Sequence, residues 1–405
     1  MKQIITLLLL VFVFFGCTPK QTVELKLPGK KERITDLNIK KEKPLEVTDS
    51  STVIEKLTPI DIKETTGPQD VIDVTPAIDG EIPQSTIESN ITLEDLKIDE
   101  GKIKVKIAFI YPSSLVEKYA KSSLDTISGY LSYQKADYDL TVIDCTNESY
   151  ENINSAFSKV TQDGITNVIA LFTPSAVNSL DKLVPSDVKV YLPLIEKKDS
   201  LSDNESLIFG SISYEQQMQK LNSYSIGNNA MFYQDSYIGN KLRRAYDSTV
   251  NDTRVTKQIS KNENNFKNIV NDYRLNNSSL FLNTDIVKTS LILSQLRAYD
   301  VYPKLIFSTQ INYDPMLMLL TQDKDREKFV IANSIDEINK ELKDEIITFG
   351  GNIIYEWVDY STLVGVNYLY YGGNSSLIQT KIVGNQAVYN PKLYKSTDVG
   401  FLEIK

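Results

Sequence analysis

Between residues 18 and 102 the chain has no Phe, Tyr or Trp, and that gap decides how much of it can fold. Seven of the 14 prolines fall in the same stretch (Pro19, Pro28, Pro44, Pro59, Pro68, Pro76 and Pro83). A segment so poor in aromatics and so interrupted by proline buries too little apolar surface to offset the entropy of ordering it. Its charge changes sign along its length, with nine Lys/Arg against six Asp/Glu in residues 1–50 and four against twelve in residues 51–102. Apolar pairs such as Val53-Ile54 and Val71-Ile72 stand alone, and no fixed-period repeat suggests a solenoid. The expectation for 17–102 is a disordered tether, roughly 50 Å end to end as a coil and roughly 280 Å when fully stretched. The other side of the boundary is different. Residues 103–405 hold 35 of the 38 aromatics and are nearly balanced in charge, with 31 Lys/Arg against 35 Asp/Glu. All folded structure is expected there.

Ahead of the tether, Lys2 precedes an apolar run from Ile4 to Phe15 broken only by Thr6. Twelve residues at about 1.5 Å each cover about 18 Å, too little for a ~30 Å hydrocarbon core, so the run reads as a secretory signal over 1–16. The sequence Phe14-Phe15-Gly16-Cys17 resembles the lipobox of bacterial lipoproteins, with Phe14 in place of the usual aliphatic residue. The resemblance implies cleavage before Cys17 and acylation of its thiol, and several acyl chains make a stable anchor. Thr18 stands where inner-membrane retention uses aspartate, which favours the periplasmic face of the outer membrane.

Composition removes several functions. Histidine is absent, so no Ser-His-Asp or Cys-His machinery can be built. One thiol, Cys145, remains after the leader, which rules out a disulfide scaffold and leaves no His/Cys zinc set. No metal and no cofactor are expected, and neither GxGxxG nor GxxxxGK[ST] occurs. A net charge of −9 argues against nucleic acid as a partner. Cys145, at the end of an apolar strand, reads as a buried small hydrophobe. Trp357 reads as packing at a domain edge, with a partner-binding anchor the alternative.

From 103 onward short apolar runs alternate with amphipathic stretches. Strands are expected at 103–111, 140–145, 168–172 and 188–194, with helices at 114–134, through Ala156, Phe157 and Val160, and at 174–183. Further strands follow at 229–233, 254–259, 279–283 and 304–308, between helices at 214–224, 237–248, 264–275 and 286–299. A looser region comes next, then a helix at 360–371 and a hairpin of 377–383 with 387–389 turning at Gly384-Asn385. Such alternation argues an α/β fold with parallel sheets covered by helices.

This order of elements is similar to the type I periplasmic binding proteins, the group of leucine/isoleucine/valine receptors. The residues that carry it are KVKIAFIYP at 104–112, VIALFTPS at 168–175, Tyr237-Ile238-Gly239 after Tyr233-Gln234-Asp235, the helix at 360–371 and the hairpin at 372–389. The resemblance implies two lobes joined by three crossovers, lobe one over about 103–209 and 309–376 and lobe two over about 210–308 and 377–405.

Ligands of open α/β sheets bind outside the carboxyl ends of strands. Thr173 and Ser175, around Pro174, place hydroxyl donors at such an end, where free N–H groups favour a carboxylate, although a plain helix cap reads equally well. Tyr111 and Ser113 follow the first strand. Lobe two offers Asp235, Tyr237 and Asp285, and the segment 310–314, read as a crossing, offers Tyr313. In amino-acid receptors an acidic group meets the ligand ammonium, a role that Asp235 or Asp285 would fill.

Two non-enzymatic functions remain. The chain is similar to outer-membrane lipoprotein activators of penicillin-binding proteins, which join a lipid anchor to a binding-protein-like domain. That resemblance implies a periplasmic protein partner such as a cell-wall synthase or envelope assembly, although the chain has only linker where the best-known activator has a helical-repeat domain. The alternative is a solute receptor of an ABC transporter for amino acids or other small polar ligands. A cleft closed over or filled by side chains would count against the solute receptor.

Overall fold

The computed structural model describes residues 104–263 and 265–405. The leader, Cys17 and the tether lie outside the described residues.

The first sheet grows from β1 (Val105–Tyr111), whose Ile107, Ala108, Phe109 and Ile110 are fully buried. A strand covered by helices on both faces reads as a continuous apolar run, and from Ile107 to Ile110 this one does. β2 (Tyr138–Asp144) and β3 (Asn167–Ala170) flank it in parallel, followed outward by β4 (Lys189–Leu192) and β5 (Leu207–Phe209). Between the strands run α1 (Ser113–Tyr133), α2 (Tyr150–Gln162) and α3 (Val177–Leu183). Helix α2 shows the local logic: the Ser149 hydroxyl accepts from the Asn152 N–H, and Ile153, Ala156, Phe157 and Val160 bury one helical stripe.

The second sheet repeats the scheme. β6 (Asn229–Gln234) is flanked by β7 (Thr253–Ile259) and β8 (Ser279–Asn283), then β9 (Leu305–Ser308) and β10 (Phe329–Asn333). Its helices include α4 (Tyr214–Asn222), α5 (Tyr237–Asp247) and α6 (Ile286–Ala298). Both sheets follow the doubly wound 2-1-3-4-5 order, which leaves a crevice where the order reverses, between β1 and β3 and between β6 and β8. The expected helix at 264–275 is instead two short turns, Lys267–Val270 and Tyr273–Leu275. Asp272 accepts from the Arg274 N–H and so restarts the chain between them.

The lobe boundaries need correction. Residues 309–333 belong to lobe two, because β10 pairs with β9 (Phe329 opposite Ile306). The hairpin belongs to lobe one: β11 (Lys381–Val383) and β12 (Gln386–Val388) extend the first sheet through Gln386 opposite Phe209. Its turn is where the sequence places it, with Gly384 and Asn385 both at positive φ. The chain crosses between lobes near 210–213, 334–339 and 389–391, so 310–314 is not a crossing. After the last crossing, β13 (Lys392–Ser396) pairs antiparallel with β10, and β14 (Phe401–Glu403) pairs antiparallel with β13 to close the second sheet. The region that looked loose holds β10 and α7 (Lys340–Phe349), which packs with α8 (Trp357–Tyr371) on α1.

The crossings meet around Tyr191, which is fully buried. A Cβ on Gly365 of α8 would lie 2.2 Å from its ring, and one on Gly210 of the first crossing 2.5 Å. The Tyr389 hydroxyl, on the third crossing, donates to the Gly210 carbonyl at 2.5 Å, and Ser361 donates to the same oxygen at 2.8 Å. Asp336, on the second crossing, accepts from Thr380 at 2.9 Å, and Thr380 pairs with the Tyr360 hydroxyl at 2.9 Å. Gly365→Ala is expected to lower stability by about 1–3 kcal/mol, since an enclosed ring has nowhere to move. Urea unfolding followed by circular dichroism measures it.

Candidate functional site

The carboxyl ends of both sheets face one another across a cleft of about 960 Å³. Lobe one contributes Tyr119 of α1 together with Tyr355 and Trp357 at the start of α8. Lobe two contributes Tyr214 of α4, Tyr237 of α5 and Tyr313. Three rings from each lobe thus wall one space. Such rings bury large area at little entropic cost and stack on planar or apolar ligands. Tyr313 is itself braced by Phe401, Tyr394 and Tyr355, with ring centroids at 4.5, 5.2 and 5.6 Å.

The lobe-two floor is made of amides. Gln234, Asn283 and Gln310 all border the cleft at the ends of neighbouring strands β6, β8 and β9. The Gln234 Oε1 accepts from the Asp285 N–H at 3.0 Å. Gln310 Oε1 accepts from the Ser334 N–H at 2.7 Å, while its Nε2 has no protein partner. Asn283 is 1% exposed, and neither atom of its amide is paired within the protein. A buried polar group in that condition costs about 1–3 kcal/mol, which makes Asn283 an expensive residue unless something else satisfies it.

Charge sits at the rim. Lys241 of α5 bridges to Asp199 at 2.9 Å and to Glu196 at 3.8 Å, and Lys198 pairs with Glu215 of α4 at 2.8 Å. Since 196–199 follow β4 in lobe one, these pairs span the two lobes. Burial raises the Glu196 carboxyl above the usual range, against the opposing pull of Lys198 and Lys241. Burial likewise raises Glu356, helped by Asp314 and opposed by Lys118.

The sequence candidates divide. Tyr237, Asp285, Tyr313 and Thr173 border the cleft. Asp285 is also the cap of α6, accepting from the Lys288 N–H at 2.9 Å. Thr173 is engaged: its N–H donates to Glu148 Oε1 at 2.5 Å and its hydroxyl to Glu148 Oε2 at 2.6 Å. The Ser175 hydroxyl donates to the same Oε2, and Ser175 is not part of the cleft lining. Three candidates lie away from the cleft. Tyr111 stacks on Phe109 at 5.7 Å, the Ser113 N–H donates to Asp144 at 3.2 Å, and Asp235 accepts from Gln258 at 2.9 Å. Each is used by a neighbour, which strand-end position alone does not reveal. Trp357 borders the cleft, so edge packing is not its whole role. Cys145 is buried, and burial pushes its thiol up to about 12, so it stays protonated and inert. Sequence reasoning missed Tyr119, Tyr214, Tyr355, Asn283 and Gln310. The aromatic-acidic run Tyr355-Glu356-Trp357 was the available signal. Among the described residues no group of three or more His, Cys, Asp or Glu is placed to hold a metal.

No family model matches the sequence, and no curated protein matches it. Solved structures do. One, described as a branched-chain amino acid ABC transporter from Rhodospirillum rubrum, aligns with a TM-score of 0.58 at 10% identity, over 75% of this chain and 100% of its own. The chain has the type I periplasmic-binding-protein fold. The branched-chain amino acid substrate-binding protein LivJ of Streptococcus pneumoniae, solved with isoleucine, gives 0.52 at 10% identity over 74% and 100%. A solute-binding protein of R. palustris, solved with 4-hydroxybenzoate, gives 0.53 at 9% identity over 75% and 96%. At such identity the likeness extends to the fold alone.

Asp359 fixes the lobe-one wall from beneath. Fully buried, it accepts from the Asn352 N–H at 2.9 Å and from the Ser122 and Ser123 hydroxyls at 2.9 and 3.4 Å, fastening the 352–356 loop to α1. Burial raises its carboxyl to about 6 despite these donors. A carboxyl raised above its unfolded value of ~3.9 binds its proton more tightly in the folded protein. Its stabilising contribution is therefore full below pH ~4 and lost as pH rises through ~6, by roughly 3 kcal/mol. Asp359→Asn is expected to remove this part of the pH dependence between pH 4 and 6, read as the difference between wild-type and variant denaturation curves.

Proposed function

We propose that the folded part of the chain is a non-enzymatic solute-binding domain that takes a small molecule into the interlobe cleft. The observation that carries this is an open space of about 960 Å³ walled by three aromatic rings from each lobe. Its size falls within the usual range for small-molecule sites, and it is not filled by side chains. Three crossings beside Tyr191 supply the hinge on which two lobes can close over a ligand. The names of the similar structures, an ABC transporter for branched-chain amino acids and solute-binding proteins with isoleucine or 4-hydroxybenzoate, support a role as the receptor of such a transporter. The protein-partner reading drawn from the penicillin-binding-protein activators has no such observation behind it. A ligand carboxylate at Thr173 and Ser175 is also disfavoured, because Glu148 already holds their donors.

The lipid anchor at Cys17 and placement at the periplasmic face of the outer membrane belong to the same proposal and rest on the lipobox-like sequence and on Thr18. By contour length alone residues 17–102 reach up to ~280 Å, enough for the domain to work far from its own membrane.

A thermal-shift screen of the purified chain against amino acids, aromatic acids, amides and sugars is expected to find a ligand that raises the melting temperature. Saturation at a hundred times Kd stabilises by about 2.7 kcal/mol. Tyr237→Ala, at a residue 71% exposed, should leave the unliganded melting temperature unchanged and weaken binding about tenfold. No shift with any compound, together with a specific protein crosslink in cells, would return the partner reading. Separately, Cys17→Ser is expected to move the protein from the membrane to the soluble fraction; a variant that stays in the membrane pellet contradicts the anchor.

A further inference from the structure

The donor cradle at the lobe-one strand ends is complete and already full. A backbone N–H and two hydroxyls, from Thr173 and Ser175, converge on one carboxylate, and that carboxylate is Glu148 of the same chain. This is the chemistry the strand end was expected to offer to a ligand carboxylate. Glu148 reaches it from the loop between β2 and α2 and lies behind Thr173, which with Pro174 forms that edge of the cleft. Across the cleft the strand ends present the amides of Gln234, Asn283 and Gln310, with the Asp285 carboxylate turned to the Lys288 ammonium beside them, and the Asn283 amide is buried with no protein partner. An amide with a free donor and a free acceptor matches a ligand that also carries both, such as a carboxamide or a peptide-like amide edge.

We propose that Glu148 is the specificity determinant of this cleft: it occupies the carboxylate cradle from within, so the cleft takes uncharged amide-bearing ligands with an apolar or aromatic body and rejects their carboxylate counterparts. The inference rests on the solute-binding reading and names the ligand class of that site. A ligand carboxylate would have to displace Glu148 or sit beside a like charge, whereas an amide of the same shape meets neither obstacle.

The test is calorimetric titration of the purified full chain with paired probes: benzamide and benzoate, nicotinamide and nicotinate, N-acetylphenylalaninamide and N-acetylphenylalanine, with leucine beside them. Amides are expected to bind at least about tenfold more tightly than the matching acids. Glu148→Ala should raise acid affinity about tenfold and leave amides within about threefold. Glu148→Gln, which keeps the side chain's size and removes its charge, should move the ratio in the same direction and guards against a fold defect in the first variant. Asn283→Leu should weaken amide binding about tenfold while raising the melting temperature of the free protein, an effect opposite to that of removing a structural residue. Acids or leucine binding wild type as tightly as the amides would overturn the proposal, as would an acid-to-amide ratio unmoved in both Glu148 variants. Silence of every probe in every protein would overturn the ligand class proposed here, whereas overturning the cleft reading itself takes silence of the whole thermal-shift panel as well.

Discussion

Everything in this domain depends on a tyrosine ring held between two glycines. Tyr191 fills the space that Gly210 and Gly365 leave open, and the three segments joining the lobes are tied together beside it. The Gly210 carbonyl accepts from Tyr389 and from Ser361, while Thr380 links Asp336 to Tyr360. One crossing is thereby bonded to another, and the remaining one to the helix behind both. With the crossings fixed at one place, freedom between the lobes reduces to rotation about that place, and the strand ends are left facing each other.

The cleft that results separates its chemistry by depth. Charge lies at the rim, where Lys241, Asp199, Lys198 and Glu215 bridge the lobes and remain partly hydrated. Rings occupy the walls and amides the floor. Partly hydrated surface pairs contribute little to stability, generally under about 1 kcal/mol, so these bridges hold the lobes together only weakly. The uncompensated Asn283 amide is the opposite case, a cost carried in the unliganded protein at the place where a ligand would remove it.

The sequence carried the fold further than the site. Alternating apolar runs announce β1 to β4 and β6 to β9, and Gly384-Asn385 announces its hairpin, because burial on both faces and positive φ each leave a plain residue signature, whereas β5 is only three residues long and leaves none. The run FVIAN at 329–333 follows a highly charged stretch and is only five residues long, so periodicity could not separate strand from helix, and lobe two lost its fifth strand. Without a signal for β10, the sequence places the second crossing too early and the hairpin in lobe two, where the sheet pairings put it in lobe one. Tyr237, Asp285, Tyr313 and Thr173 were legible because they follow strand ends. Tyr119 and Tyr355 come from a helix face and a loop, and only packing brings them to the cleft. Nothing local in the sequence shows that Glu148 reaches Thr173, since 25 residues separate them.

The interleaved crossings also set the order in which the molecule can be made. Phe209 of β5 waits for Gln386 of β12, and β10 waits for the strand at 392–396, so neither lobe has its full sheet until nearly the whole chain has been synthesised. Pairings that distant in sequence slow folding and leave strand edges exposed meanwhile. A chain built this way stays unfinished while it emerges from the ribosome, and its last strands decide when either sheet is complete.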